Sequence, residues 1–158
     1  MRLTHVDKEG KAKMVDISNK DVTLREATAV GRVLVKPETL EMIKKDKIKK
    51  GDVLATARIA GIMAAKKTHQ LIPLTHPIPI DEVSVELDLD EERPSVTIHV
   101  SAKTHSKTGI EMEVITGVVI AAATIYDMIK SIDRTASITD VCLVRKSGGK
   151  SGVFIKEE

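Results

Sequence analysis

The chain has 158 residues, with 25 Lys and Arg against 23 Asp and Glu, for a formal charge of +2. That length suits one domain with a sizeable core, while the near balance of charge and the lack of aromatics beyond Tyr126 and Phe154 argue against a dedicated nucleic-acid binder. The single cysteine, Cys142, excludes an intrachain disulfide framework and a four-cysteine metal site, and the absence of an apolar leader or a long uninterrupted apolar run predicts a soluble, cytoplasmic protein with no membrane segment.

Residues 1–13 are polar, carry a turn signal at Gly10 and read as a flexible arm, which leaves 14–158 as a single domain. MVDIS at 14–18 has the composition of a short edge strand, and ATAVGRVLV at 27–35 reads as a full strand from its Val and Leu content. Pro37 suits a first helical turn, continued by ETLEMIKKD. After the KKGD turn, Asp52 is placed to cap a helix in which Val53, Ala57, Ala60 and Ala64 recur at intervals of three and four, ending near Lys67.

The stretch KKTHQLIPLTHPIP at 66–79 follows directly, and Pro73, Pro77 and Pro79 oppose both a continuous helix and a central strand, so it reads as an ordered turn. DEVSVELDLD at 81–90 alternates, with Val83, Val85, Leu87 and Leu89 on one face, and SVTIHVSAKT repeats the alternation through Val96, Ile98 and Val100. With EERP as the tight connection, the two form a hairpin, one face of which should be covered by helices. IEMEVITGVVIAAATIYDMIKSI is too long and too rich in small residues for a strand and reads as the second main helix; ITDVCLVRK at 138–146 is the last strand, before SGGKSG.

This order predicts an α+β fold: a ferredoxin-like split βαβ sandwich with a four-stranded antiparallel sheet and helices on one face. The second main helix is apolar over more than half its circumference, more than one sheet face covers, which predicts a further surface supplied by another subunit.

Several polar groups interrupt this pattern. Thr108 and Glu111 have capping-box spacing at the start of the long helix, whereas Glu113 sits in an apolar run and needs a partner of its own. Asp127 and Lys130, three apart, fit either an ordinary helix salt bridge or a proton-transfer pair tuned by the ammonium. His76, between Thr75 and Pro77, is better placed for binding than His69, which suits a helix end, and the two give only weak grounds for a metal. KSGGKSG at 146–152 offers backbone amides beside Lys146 and Lys150 and so favours phosphate, although Val144 stands where a Walker A loop needs glycine.

THQLIPLTHPI, KTGIEMEVITGV, AAATIYDMIKSID and KSGGKSG, in that order, resemble the molybdenum cofactor biosynthesis protein C family, and the resemblance extends from about residue 5 to 154. It implies a lyase that takes the cyclised GTP derivative made by the preceding radical enzyme, builds the pterin ring and a cyclic phosphate, and releases pyrophosphate on the way to molybdopterin. It also implies a homohexamer, a trimer of dimers, with sites at the subunit interfaces; no cofactor and no metal are expected. By the same resemblance Asp127 and Lys130 are the catalytic pair, and the substrate is bound by Lys50, Leu74, Thr75, His76, Glu111, Met112, Glu113, Lys146 and Lys150. Thr75 stands where the family usually has Cys, and His105 where glycine is common. The rival reading is a non-enzymatic small-molecule sensor or assembly protein of the same fold.

Overall fold

The computed structural model describes residues 9–157. Of the arm expected at 1–13, residues 1–8 lie outside that range; Gly10 makes the expected turn with a left-handed φ of 81°. The edge strand expected at 14–18 is absent. Those residues run without regular structure to a bend in which Ser18 N–H bonds Asp16 Oδ1 at 2.9 Å, and polar neighbours leave the segment no buried face to present.

The ordered elements are β1 (Thr23–Leu34), α1 (Pro37–Lys44), α2 (Val53–Lys66), α3 (Thr68–Leu71), β2 (Glu82–Asp90), β3 (Ser95–Ser106), α4 (Glu111–Ile129), β4 (Ser137–Ser147) and β5 (Phe154–Ile155). The sheet runs β2-β3-β1-β4-β5, all neighbours antiparallel, which is the ferredoxin-like strand order with one strand added. The added strand is β5, whose two residues pair with Arg145 and Lys146. Its brevity hid it from pattern reading. β1 also begins four residues earlier than expected, through the polar TLRE segment, because pairing with 103–106 of β3 supplies what local composition lacks.

Local signals place the helices. Pro37 opens α1, and Asp52 caps α2 by accepting Ala55 N–H at 2.9 Å. α2 and α4 pack on one face of the sheet, so the alternating residues Val96, Ile98 and Val100 of β3 meet Val114, Val118, Ala121 and Ile125 of α4 in one core. The helices approach closely at two glycines. A Cβ on Gly61 would lie 3.2 Å from Gly117 O, and one on Gly117 would lie 3.3 Å from Gly61 O. Gly31 of β1 is likewise pressed, since an added Cβ would sit 2.5 Å from Val118 Cγ1.

Among the described residues α4 alone has the length and hydropathy of a membrane span, but its burial is that of a core helix. The excess apolar surface that called for another subunit is met largely within the chain, by α2. Exposed apolar side chains remain at Val119 on α4 itself, at Ile59 and Met63 on α2, and at Ile138, Phe154 and Ile155 toward the β4–β5 edge. At the opposite edge, Arg58 Nε of α2 donates to Val85 O of β2 at 3.1 Å.

Candidate active site

Strand register divides the molecule into two ends. Leu34, Asp90, Ser95 and Ser137 mark one, where α4 finishes; Glu26, Glu82, Lys103 and Ser147 mark the other, where α4 starts.

At the finishing end, Asp127 is gripped by two lysines. Its Oδ1 accepts Lys130 Nζ at 2.7 Å, as the three-residue spacing on a helix predicts, and its Oδ2 accepts Lys50 Nζ at 2.7 Å. Lys50 also donates to the backbone oxygen of Asp127 at 2.7 Å. Lys50 arrives from the turn after α1, where Ile48 is buried and Gly51 takes a φ of 99°, so the lysine projects from a short link fixed on both sides. The hydrogen bonds from Lys130 and then Lys50 hold the Asp127 carboxyl down at about 2 despite some opposing desolvation, and Asp127 in turn raises Lys130 above the ordinary lysine value. All three side chains are about half exposed, so the cluster is a carboxylate kept ionised beside two ammonium groups, open to a ligand.

The starting end gathers the other expected residues. The long loop carrying Leu74, Thr75 and His76 feeds into β2 there and is tied down where Thr104 Oγ1 donates to Pro79 O and Asp81 N–H to Lys103 O. His76 and Thr75 are half-buried and Leu74 is exposed; the Thr75 hydroxyl turns back to Ile72 O at 2.9 Å, closing the turn on itself. His69 lies exposed in α3, and His105 Nδ1 pairs with Asp81 Oδ2 at 2.8 Å.

Glu111 and Glu113 open α4, but the capping box is not made: the N-cap is Ile110, with no side-chain bond, and the Glu111 carboxylate instead folds over Gly109, in space that a Cβ there would occupy. Met112 between them is half-buried. Glu113 is only 4% exposed. Burial pushes its carboxyl up to about 7, with repulsion from Glu111 adding to the shift and a bond to its own backbone opposing it.

Lys146 and Lys150 flank a reversal at Gly148 and Gly149, both with left-handed φ, and Lys146 Nζ bonds Ser151 Oγ. Side chains at these glycines would collide with Leu24 O and with the Arg25 guanidinium, respectively. Arg25 is therefore seated on the glycine turn. Its Nη2 reaches Lys107 O at 3.4 Å, while its buried Nε has no partner among the described residues. Sequence reasoning missed this residue, because an arginine in a polar run carries no local sign of the strand that places it.

The two groups do not meet within one chain. Glu113 and Asp127 are fourteen residues apart on the straight run of α4, and at 1.5 Å per residue that is about 21 Å. Among the described residues no three His, Cys, Asp or Glu side chains gather as a metal-ligand set.

Residues 14–149 match the profile of the MoaC family. The chain belongs to the MoaC family. A protein from Thermoanaerobacter sp. (strain X514) named cyclic pyranopterin monophosphate synthase is 52% identical over 157 residues, covering 99% of each chain. Proteins of the same name from Dinoroseobacter shibae and Roseiflexus sp. (strain RS-1) are 55% and 54% identical over 155 residues, covering 98% of each chain. The MoaC match covers Arg25, Lys50, His76, Glu111, Glu113, Asp127, Lys130 and Lys146, and ends one residue before Lys150.

Proposed function

We propose that the protein is a cyclic pyranopterin monophosphate synthase, a lyase that converts the cyclised GTP derivative 3',8-cyclo-7,8-dihydroguanosine 5'-triphosphate to a cyclic pterin monophosphate with loss of pyrophosphate, in molybdenum cofactor biosynthesis. Full-length similarity to proteins of that name supports the activity, and the single structural observation that carries it is the Lys50–Asp127–Lys130 cluster. A carboxylate with two ammonium neighbours can take a proton from a reacting hydroxyl or amine, while the ammonium groups stabilise negative charge that develops nearby. Asp127 and Lys130 are the catalytic pair in this reading, with Lys50 holding Asp127 and facing the substrate.

The phosphates fall to the other group. Lys146, Lys150 and the seated Arg25 present cations around amides exposed at Gly148 and Gly149, the chemistry a triphosphate requires. His76, with Leu74 and Thr75 beside it, and Glu111, Met112 and Glu113 line the base-binding part. Glu113, held near neutrality, can hydrogen-bond a purine-like edge as donor or acceptor.

Closing the product ring requires a sugar oxygen to attack the α-phosphorus as the bond to the pyrophosphate oxygen breaks; the attacking hydroxyl loses its proton to the base, and pyrophosphate leaves with the electron pair. A separation of about 21 Å along α4 fits a site in which the starting end of one subunit faces the finishing end of another, and the homohexamer, a trimer of dimers, is the assembly proposed. The exposed apolar groups on α2 and at the β4–β5 edge are compatible with such contacts. The protein would act in the cytoplasm on the small molecule delivered by the preceding radical enzyme.

The test is direct. The purified protein, given the cyclised triphosphate, should yield cyclic pterin monophosphate and pyrophosphate in equal amounts, and binding without product would favour the sensor reading.

A further inference from the structure

Beyond the groups that face the substrate, one buried carboxylate joins the two halves of the Asp127 cluster. Asp133 follows α4 by four residues and is 1% exposed. Its Oδ2 accepts Lys36 N–H at 2.8 Å and Thr39 Oγ1 at 3.3 Å, both at the start of α1. Its Oδ1 accepts Thr135 N–H at 3.1 Å and Thr135 Oγ1 at 2.7 Å, within its own turn. Burial alone would push this carboxyl up, but the bonds from Lys36, Thr135 and Thr39 together outweigh it and keep it below the ordinary aspartate value. α1 has no capping side chain of its own, and Asp133 takes that place from across the fold.

The position of this brace matters because the cluster is built from the same two elements. Asp127 and Lys130 ride on the last turn of α4, immediately before Asp133, while Lys50 rides on the link that leaves α1. Ile129 O accepts both Ile132 N–H and Asp133 N–H at 2.9 Å, so the turn carrying Asp133 is continuous with the helix end. We propose that Asp133 is a positioning residue for the synthase reaction: by clamping the start of α1 to the end of α4 it sets the reach of Lys50 to Asp127. It touches neither substrate nor the reacting atoms. The inference rests on the catalytic reading of Asp127, yet its central readout does not.

The experiment follows the Asp127 carboxyl by NMR titration alongside steady-state turnover. In Asp133→Asn the amide offers one acceptor oxygen where the carboxylate offered two, so the clamp opens on one side. Lys50 then loses its register with Asp127, whose titration should move up toward the ordinary aspartate range. kcat should fall by about 10- to 100-fold, the scale of an ångström-level misplacement. KM should change less than kcat, since Arg25, Lys146 and Lys150, the cations assigned to the phosphates, lie at the other end of the molecule.

A second pair of variants leaves the carboxylate intact and decides the matter if Asp133→Asn does not fold. Lys36 has φ −71° and ψ 152°, values a proline accepts before Pro37, so Lys36→Pro deletes the N–H that Asp133 receives. Lys36→Ala removes the same side chain and keeps the N–H. Lys36→Pro should shift the Asp127 titration and lower kcat, and Lys36→Ala should do neither. Normal Asp127 titration and normal kcat in folded Lys36→Pro or Asp133→Asn, or equal effects of Lys36→Pro and Lys36→Ala, would overturn the proposal. If Asp127→Asn itself turns over normally, the catalytic reading of Asp127 fails instead, while the titration result still judges the clamp.

Discussion

Lys50 and Asp127 are 77 residues apart in sequence and are joined twice by one ammonium group, which donates to the Asp127 side chain and to its backbone oxygen. A surface ion pair usually forms and breaks with little consequence for stability. Here the second bond, to the carbonyl, limits the lysine to one approach and leaves the carboxylate between two cations. Such an aspartate stays ionised through the whole physiological range, so it can begin a reaction cycle only as a proton acceptor or as a fixed negative charge.

Replacing that acceptor should separate chemistry from binding. Asp127→Asn keeps the size and the bonds from one lysine, so the fold and the affinity for the triphosphate should survive. Single-turnover product formation should drop by roughly 10²- to 10⁴-fold, the usual contribution of a general base. Lys130→Ala should show a comparable loss. Turnover by Asp127→Asn close to that of the unmutated protein would return the pair to an ordinary salt bridge.

Lys146→Ala tests the other end. It removes one cation from the glycine turn without touching the core, so circular dichroism should be unchanged and the dissociation constant for the substrate should rise by about tenfold or more, the scale of a charge-assisted bond. Calorimetry at two salt concentrations checks this. Affinity equal to that of the unmutated protein at both would remove Lys146 from the phosphate site.

Glu113 gives a prediction about stability and pH. Its carboxyl sits at about 7 in the fold against an ordinary glutamate value of 4.5, so the folded state holds a proton that the unfolded chain releases earlier. Stability from this group is therefore fully present below about 4.5, declines as pH rises toward 7, and stays reduced above that. Glu113→Gln should flatten the decline, with a gain of about 1–2 kcal/mol at alkaline pH relative to the unmutated protein. Urea unfolding at pH values on either side of the window measures it; parallel profiles for the two proteins would show that the buried carboxyl is not the source.

Gly31→Ala probes the contact beneath α4. The new methyl would lie 2.5 Å from the fully buried Val118, which has no room to retreat. A loss of about 1–3 kcal/mol is expected, and adding Val118→Ala should recover part of it despite the cost that Val118→Ala carries alone. A double-mutant cycle by urea unfolding reads the coupling. Simple additivity would mean that the helix shifts away instead.

Much of this was legible in the chain because its signals are local. Alternation in 81–90 and 95–100 places the hairpin, Asp52 and Pro37 start their helices, and the interval between Asp127 and Lys130 is one helical turn. What escaped depends on partners distant in sequence. β1 begins in a polar segment because β3 pairs with it, β5 needs only two residues once β4 is present, and the cover for α4 comes from α2 through Gly61 and Gly117. In the site, Lys50 was placed by family resemblance; its contact with Asp127 is tertiary. Arg25 and Asp133 gave no signal, since each derives its role from what folds against it.

The bond from Arg58 to Val85 O has a consequence for how copies of the sheet can join. Strand β2 carries Glu82, Glu86 and Asp88 along its rim, and the guanidinium already occupies one of its carbonyls, so this border disfavours a second β2 by like charge and offers one acceptor fewer to any other strand. The far border, with exposed Phe154 and Ile155, has no such guard among the described residues. A ribbon that grows without end needs two usable borders on every unit. With one border guarded by charge and by Arg58, strand addition at the other favours two molecules joined face to matching face over continued growth, while an open border remains available.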